Sequence, residues 1–390
     1  MAQLRQLLPD GPCEGARWPI NDYTHGVFVC GVGQMGNENA RRTKEDGVAR
    51  DVQEGESMMN DEKTESDVAQ SPHNLIAFGA PGTGKSHLLE EKRKNAVFAD
   101  YERVTFYPTY SYAQFVGTYK PVMNGKAEIA YAFVPGPFLR MLVKATASDE
   151  KFLLLIEEIN RANAAAVFGD MFQLLDRVNG KSEYPIAASE DVKGSLQQEL
   201  DRRGMTEGFG MKKQNGRWEG ACQLSLPENL YIWATMNSAD QGVFPMDTAF
   251  KRRWEFEYIG IDDSSSDCDG WKVEGGNTRS KWNDVRSFIN GLLSLNGVNE
   301  DKLMGPFFVK AEGDLVSESQ FESKVLMYLW EDAARMCRSR LFANVQMYSD
   351  LVEEWRDKGV EMFKDLMKEG SPASNNKRTA ASWKKLFPDR

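Results

Sequence analysis

The sequence predicts an α/β fold, a parallel sheet sandwiched by helices and followed by a small all-α unit, on three observations. An apolar segment, Asn74-Leu75-Ile76-Ala77-Phe78, runs into the glycine-rich Gly79-Ala80-Pro81-Gly82-Thr83-Gly84-Lys85-Ser86 and then into a helix start at His87-Leu88-Leu89-Glu90-Glu91-Lys92. Two further apolar runs, Phe152-Leu153-Leu154-Leu155-Ile156 and Leu230-Tyr231-Ile232-Trp233-Ala234, end in polar or acidic residues, as buried parallel strands do where they deliver side chains to a ligand site. Helical apolar spacing then fills 282–295, 321–341 and 345–366.

Residues 1 to about 30 carry scattered apolar residues such as Leu7, Trp18 and Val27 without a period, which suits a small flap. From Gly31 to Pro72 the composition turns polar and charged, as in a mobile linker or a partner-binding tail. Then every fixed position of G-x-x-x-x-G-K-[ST] is matched. Glycines let backbone N–H groups wrap phosphate oxygens, and the next helix offers its positive end to the same anion. Gly79, Pro81, Gly82, Thr83, Gly84, Lys85, Ser86 and His87 are therefore candidate nucleotide-binding residues. Lys85 would reach the β- and γ-phosphates and the Ser86 hydroxyl would serve Mg²⁺, a hard cation that binds together with substrate phosphates.

A second strand is expected at Arg103–Tyr107, followed by an aromatic stretch from Tyr110 to Phe115 that is either a packed turn or a face that stacks on bases. Pro135-Gly136-Pro137 opens a helix to Ala145 that covers the sheet. At the end of the 152–156 run, Glu157 is placed to help hold Mg²⁺ and Glu158 to polarise the attacking water as general base. Val167, Phe168, Met171, Phe172, Leu174 and Leu175 mark an amphipathic helix over 164–178, and 179–220 reads as an exposed insertion. Its basic part, 202–217, is either a solvated loop or a contact for nucleic acid or an acidic partner.

The 230–234 run leads to Asn237, whose amide can both donate and accept at the γ-phosphate or the water, and to Asp240, which would orient that water or a nearby arginine. A short helix, 245–254, ends in Lys251-Arg252-Arg253. Such a cluster caps a helix end, and it is also what an arginine finger needs to reach a neighbouring subunit's γ-phosphate. Asp262–Gly276 reads as a linker or loop, the helices that follow as a lid, and the chain from Gly370 as a frayed tail. The expected organisation is thus a flap and linker over 1–72, a nucleotide-binding α/β domain over 73–262, a helical lid over 277–368 and a tail over 369–390.

With 390 residues and 41% hydrophobic content, the chain can bury a sizeable core. It has no apolar run long enough to span a membrane and no signal-like start, so a cytoplasmic location is expected. Five scattered cysteines suggest neither a disulfide framework nor a zinc cluster. A net charge of −10 excludes a surface that grips nucleic acid everywhere, leaving only local contact.

Taken together, Gly79–Ser86, Tyr110-Ser111-Tyr112-Ala113-Gln114-Phe115-Val116, Glu157-Glu158-Ile159-Asn160-Arg161-Ala162-Asn163, Met236-Asn237-Ser238-Ala239-Asp240 and Lys251-Arg252-Arg253-Trp254 resemble the AAA+ family, in its McrB-like branch related to dynein and MoxR ATPases. The resemblance covers about residues 72–345 and extends to Asp301–Phe308, which is similar to the family's lid. It implies Walker A, Walker B, sensor 1 and arginine-finger roles for the residues above, a hexameric ring, and a McrC-like nuclease-bearing partner. DNA would be met in the ring pore or at 202–217. Two departures stand out: Glu157 occupies the usual aspartate position, and Gln241-Gly242 follows Asp240 where the McrB-like pattern has Arg-Ser. The implied function is ATP or GTP hydrolysis driving a restriction or phage-defence system. A MoxR-like protein-remodelling ATPase and a weakly hydrolysing nucleotide-binding scaffold are the alternatives.

Overall fold

Five parallel strands order the first half of the described chain in the computed structural model, which describes residues 71–123, 128–237, 242–342 and 345–388. The expected flap and linker, except Ser71 and Pro72, lie outside the described residues, as does Asp240. The strands are β1 (Asn74–Gly79), β2 (Asp100–Thr105), β3 (Phe152–Glu157), β4 (Leu230–Asn237) and β5 (Glu255–Tyr258), arranged β5-β1-β4-β3-β2. All four pairings are parallel.

Alternation along these strands explains why both faces are covered. Ile76, Leu154, Ile156, Ile232 and Ala234 point to one face, covered by Phe138, Leu139 and Leu142 of the helix Pro137–Thr146. Leu75, Ala77, Leu153, Leu155, Tyr231 and Trp233 point to the other, covered by Leu89 of α1 (Lys85–Asn95). A period of two with apolar residues on both sides is what a central parallel strand requires. The 110–115 aromatics are packed rather than presented: Phe106 stacks on Tyr110 at 4.8 Å, and fully buried Phe115 lies 4.8 Å from Phe168 and 5.3 Å from Phe138.

Several segments are more ordered than their composition predicts. The 164–178 segment is not one helix: a short α-turn, Ala164–Phe168, passes into 3₁₀ turns, Gly169–Leu175, at Gly169, whose φ is +56°. The basic 202–217 stretch closes the helix Glu190–Arg202 and forms the hairpin Met211–Gln214 with Arg217–Glu219. Four of its five cations are paired locally, Arg202 and Arg203 with Glu199, Lys212 with Glu207 and Lys213 with Asp201. The expected linker over 262–276 contains a strand, Lys272–Gly275, in a three-stranded sheet with Thr278–Lys281 and Leu315–Val316. Buried Cys268 and Val273 hold it to the C-terminal core.

Beyond it, Trp282–Leu295 forms the predicted helix, while 321–341 is a chain of short helical pieces with wide turns. The last predicted helix is α-helical from Tyr348 to Lys358 and goes on as 3₁₀ turns, Gly359–Met367; Gly359 makes the change with φ +52°, where a side chain would meet the Gly275 carbonyl oxygen at 2.4 Å. From Lys377 to Leu386 the chain is helical, where a frayed tail is expected. Asn376 caps it by accepting from Arg378 N and Thr379 N, Trp383 packs 5.0 Å from Phe288, and Gly291 admits Thr379 closely. No helix among the described residues is long and apolar enough to cross a membrane.

Candidate functional site

The parallel sheet brings three strand ends to one place: the loop after β1 and the polar ends of β3 and β4. Gly82 and Gly84 adopt φ of +76° and +94°, conformations that L side chains rarely take, so the loop can curl as its motif demands. Lys85 is buried and donates from Nζ to Gly79 O at 3.1 Å and Ala80 O at 2.8 Å. Thr83 donates back to Ala80 O at 3.0 Å, tying the loop across itself. Exposed Ser86 donates from Oγ to Glu157 Oε2 at 2.9 Å.

Glu158 sits just past β3 in the left-handed region, at φ 56° and ψ 49°, which is uncommon for a residue with a side chain. That geometry turns its carboxylate toward the loop, where Asn237 Nδ2 donates to Oε1 and Arg161 Nε lies 3.2 Å from Oε2. Asn160 in turn donates to Asn237 O at 2.6 Å, and Asn237 Oδ1 has no hydrogen-bond partner among the described residues. A cleft of about 580 Å³ opens between Gly82, Gly84, Lys85, Ser86, His87, Glu158 and Asn237 on one side and Trp271, Phe307, Val309, Lys310 and Ala311 on the other. This second wall comes from the C-terminal region: Phe307 belongs to the Asp301–Phe308 segment that resembles a lid, whereas Trp271, Val309, Lys310 and Ala311 belong to no motif in the sequence. Gly305 N donates to Pro81 O and Phe307 N to Gly82 O, both at 2.8 Å, which fixes that region against the loop.

The arginines go elsewhere. They precede β5, and Asn74 Nδ2, at the start of β1, donates to Arg253 O at 2.9 Å. Asn74 and Gly79 are the two ends of β1, roughly 16 Å apart at about 3.3 Å per residue. Arg253 is turned inward: its side chain is 5% exposed, pairs with Asp176 at 2.6 Å, donates to Ala249 O and lies 3.9 Å over the Phe172 ring. Arg252, next to it, is exposed, and its side chain makes no hydrogen bond or ion pair among the described residues. Half-buried Arg177 backs this corner with four neutral acceptors, including Asn74 Oδ1, and desolvation of its guanidinium pulls its pKa down to about 9.

The donor set suits Mg²⁺ bound with a nucleotide. Ser86 offers a hydroxyl oxygen whose proton is already committed to Glu157. Among the described residues no group of three or more His, Cys, Asp or Glu side chains is arranged to hold an ion alone, so phosphate oxygens would have to complete the coordination.

Residues 74–254 match the AAA domain (dynein-related subfamily). The chain is 43% identical over 315 residues to the type II restriction enzyme BsuMI component YdiS of Bacillus subtilis (strain 168), a match covering 73% of this chain and 86% of that protein. It is 29% identical over 192 residues to the type IV methyl-directed restriction enzyme EcoKMcrB subunit of Escherichia coli (strain K12), covering 47% of this chain and 34% of that protein. Strand–loop–helix geometry, the two acids and the extent of these matches agree, and the chain belongs to the dynein-related AAA domain family as a McrB-like AAA+ ATPase.

Proposed function

We propose that the protein hydrolyses a nucleoside triphosphate, ATP or GTP, as the ring-forming motor subunit of a restriction or phage-defence system. The observation that carries this reading is the meeting of Lys85, Ser86, Glu158 and Asn237 in one cleft while Arg252 stands at the opposite end of the sheet. The names of both relatives, components of restriction enzymes, support the biological setting. A McrC-like chain would supply the nuclease.

In this mechanism the loop N–H groups and Lys85 take the β- and γ-phosphates. Bound Mg²⁺ would neutralise developing phosphate charge, and Ser86, oriented by Glu157, would hold it. Glu158 takes a proton from the attacking water as that water's oxygen bonds the γ-phosphorus and the bond to the β-phosphate oxygen breaks. Asn237 and Arg161 hold the carboxylate in place for that transfer. Arg252 stabilises the same transition state in the next copy around the ring, since its own loop lies a strand length away. The C-terminal region, hydrogen-bonded to the loop at Pro81 and Gly82, acts as the lid that transmits the state of the site.

The direct test is steady-state turnover of ATP and GTP by the wild type and by Glu158→Gln. Removing a general base should lower kcat about 100-fold or more while nucleotide binding persists. Equal rates in the two proteins would sink the hydrolytic reading.

A further inference from the structure

We infer that Thr235 is a positioning residue that locks the two acids of the site to the metal-holding serine, an inference that rests on the nucleotide-hydrolysing reading of this cleft. Thr235 lies on β4, two residues before Asn237, beside the end of β3: Ala234 pairs with Ile156, which puts the next residue on each strand, Thr235 and Glu157, alongside one another. It is 1% exposed, among strands whose other central residues are apolar. A hydroxyl buried there is costly unless both its functions are met.

Both are met by the site. Thr235 Oγ1 donates to Glu157 Oε2 at 2.6 Å and accepts from Glu158 N at 3.1 Å. The second bond matters because Glu158 leaves the strand at φ 56°, where its N–H is carried out of the sheet ladder and needs another acceptor. One hydroxyl therefore stabilises the turn that aims Glu158 at Asn237. It also fixes the carboxylate oxygen that accepts from Ser86 Oγ at 2.9 Å. A glutamate has one more rotatable bond than an aspartate, so the longer Glu157 gains most from a second donor on that oxygen. The chain Thr235–Glu157–Ser86 sets the direction of the Ser86 lone pairs, and with it the affinity for the ion bound with the nucleotide.

The test compares Thr235→Val, nearly the same shape without the hydroxyl, with Thr235→Ser, which keeps it, in the full chain. Loss of a group that orients a metal ligand typically costs about 10- to 100-fold in metal affinity or activity. Thr235→Val is expected to raise the Mg²⁺ concentration for half-maximal turnover, and for Mg²⁺-enhanced binding of a fluorescent non-hydrolysable triphosphate, about tenfold. Its kcat should fall further than its KM changes, and its nucleotide affinity in EDTA should stay within about twofold of wild type, which also certifies the fold. Thr235→Ser should return to within about threefold of wild type on every readout. An unchanged Mg²⁺ requirement in Thr235→Val overturns the inference, as does a Thr235→Ser protein impaired as badly as the valine variant. If wild type and Glu158→Gln turn over equally, the hydrolytic reading fails separately, and the Mg²⁺ dependence of binding still decides the role of Thr235.

Discussion

Arg252 and Arg253 are adjacent in sequence and alike in chemistry, yet the end of the short helix Thr248–Lys251 sends them to different environments. Arg253 fills an internal position between Asp176 and Phe172, whereas Arg252 faces outward. Removing one partner of a buried ion pair leaves an uncompensated charge, so Arg253→Ala should lose about 3 kcal/mol of stability, toward the low end for such pairs because Asp176 is partly exposed. Arg252→Ala should melt within a degree or two of wild type and lose turnover instead. Thermal denaturation of the two variants separates them, and a destabilised Arg252→Ala would contradict the assignment. The glycine-rich loop was legible in the sequence because its residues are contiguous and, under the proposed function, each would serve the same anion. The division of labour between the arginines was not, since it depends on residues 77 positions away, at Asp176. Thr235 was invisible for another reason: threonine is an ordinary strand residue, and only the register beside Glu157 gives its hydroxyl a task.

At the scale of elements, the strands were readable because alternating apolar residues bury both faces of a parallel sheet, and Phe152–Ile156 admits no other placement. The helix Lys377–Leu386 was hidden by its polar composition: its stability comes from the Asn376 cap and from contact with Trp282–Leu295, which a local reading cannot anticipate. The same holds for the contact between the loop and 305–307. Gly305 approaches so closely that an added Cβ would stand 2.3 Å from the Gly82 backbone. Gly305→Ala must therefore push the C-terminal region off the loop, breaking the bonds to Pro81 O and Gly82 O. The expected outcome is faster amide exchange at Gly305 and Phe307 and nucleotide affinity about tenfold weaker, the order of two lost hydrogen bonds of ~1 kcal/mol each partly offset by relaxation. Unchanged exchange and affinity would mean the contact has no part in holding the cleft.

For the whole molecule, the decisive feature is that a parallel sheet has two unlike ends. The candidate nucleotide site occupies the ends of β1, β3 and β4, and Arg252 lies where β1 and β5 begin. Under the proposed ring, a head-to-tail interface brings the second end of one copy to the first end of the next, and two differently damaged copies should repair each other. Lys85→Ala removes the phosphate contact but leaves Arg252 to donate; Arg252→Ala keeps the site but cannot serve its neighbour. Each alone should turn over about 1000-fold slower than wild type or worse, the scale of a missing arginine finger. In an equimolar mixture assembled at random, about one interface in four joins an intact site to an intact Arg252, so turnover should rise far above either variant toward a quarter of the wild-type rate. Wild-type specific activity should likewise climb with protein concentration as rings assemble. A mixture no faster than its components, together with a wild-type rate independent of concentration, would mean that each copy completes its own site, which the separation of Arg252 from Lys85 across β1 argues against.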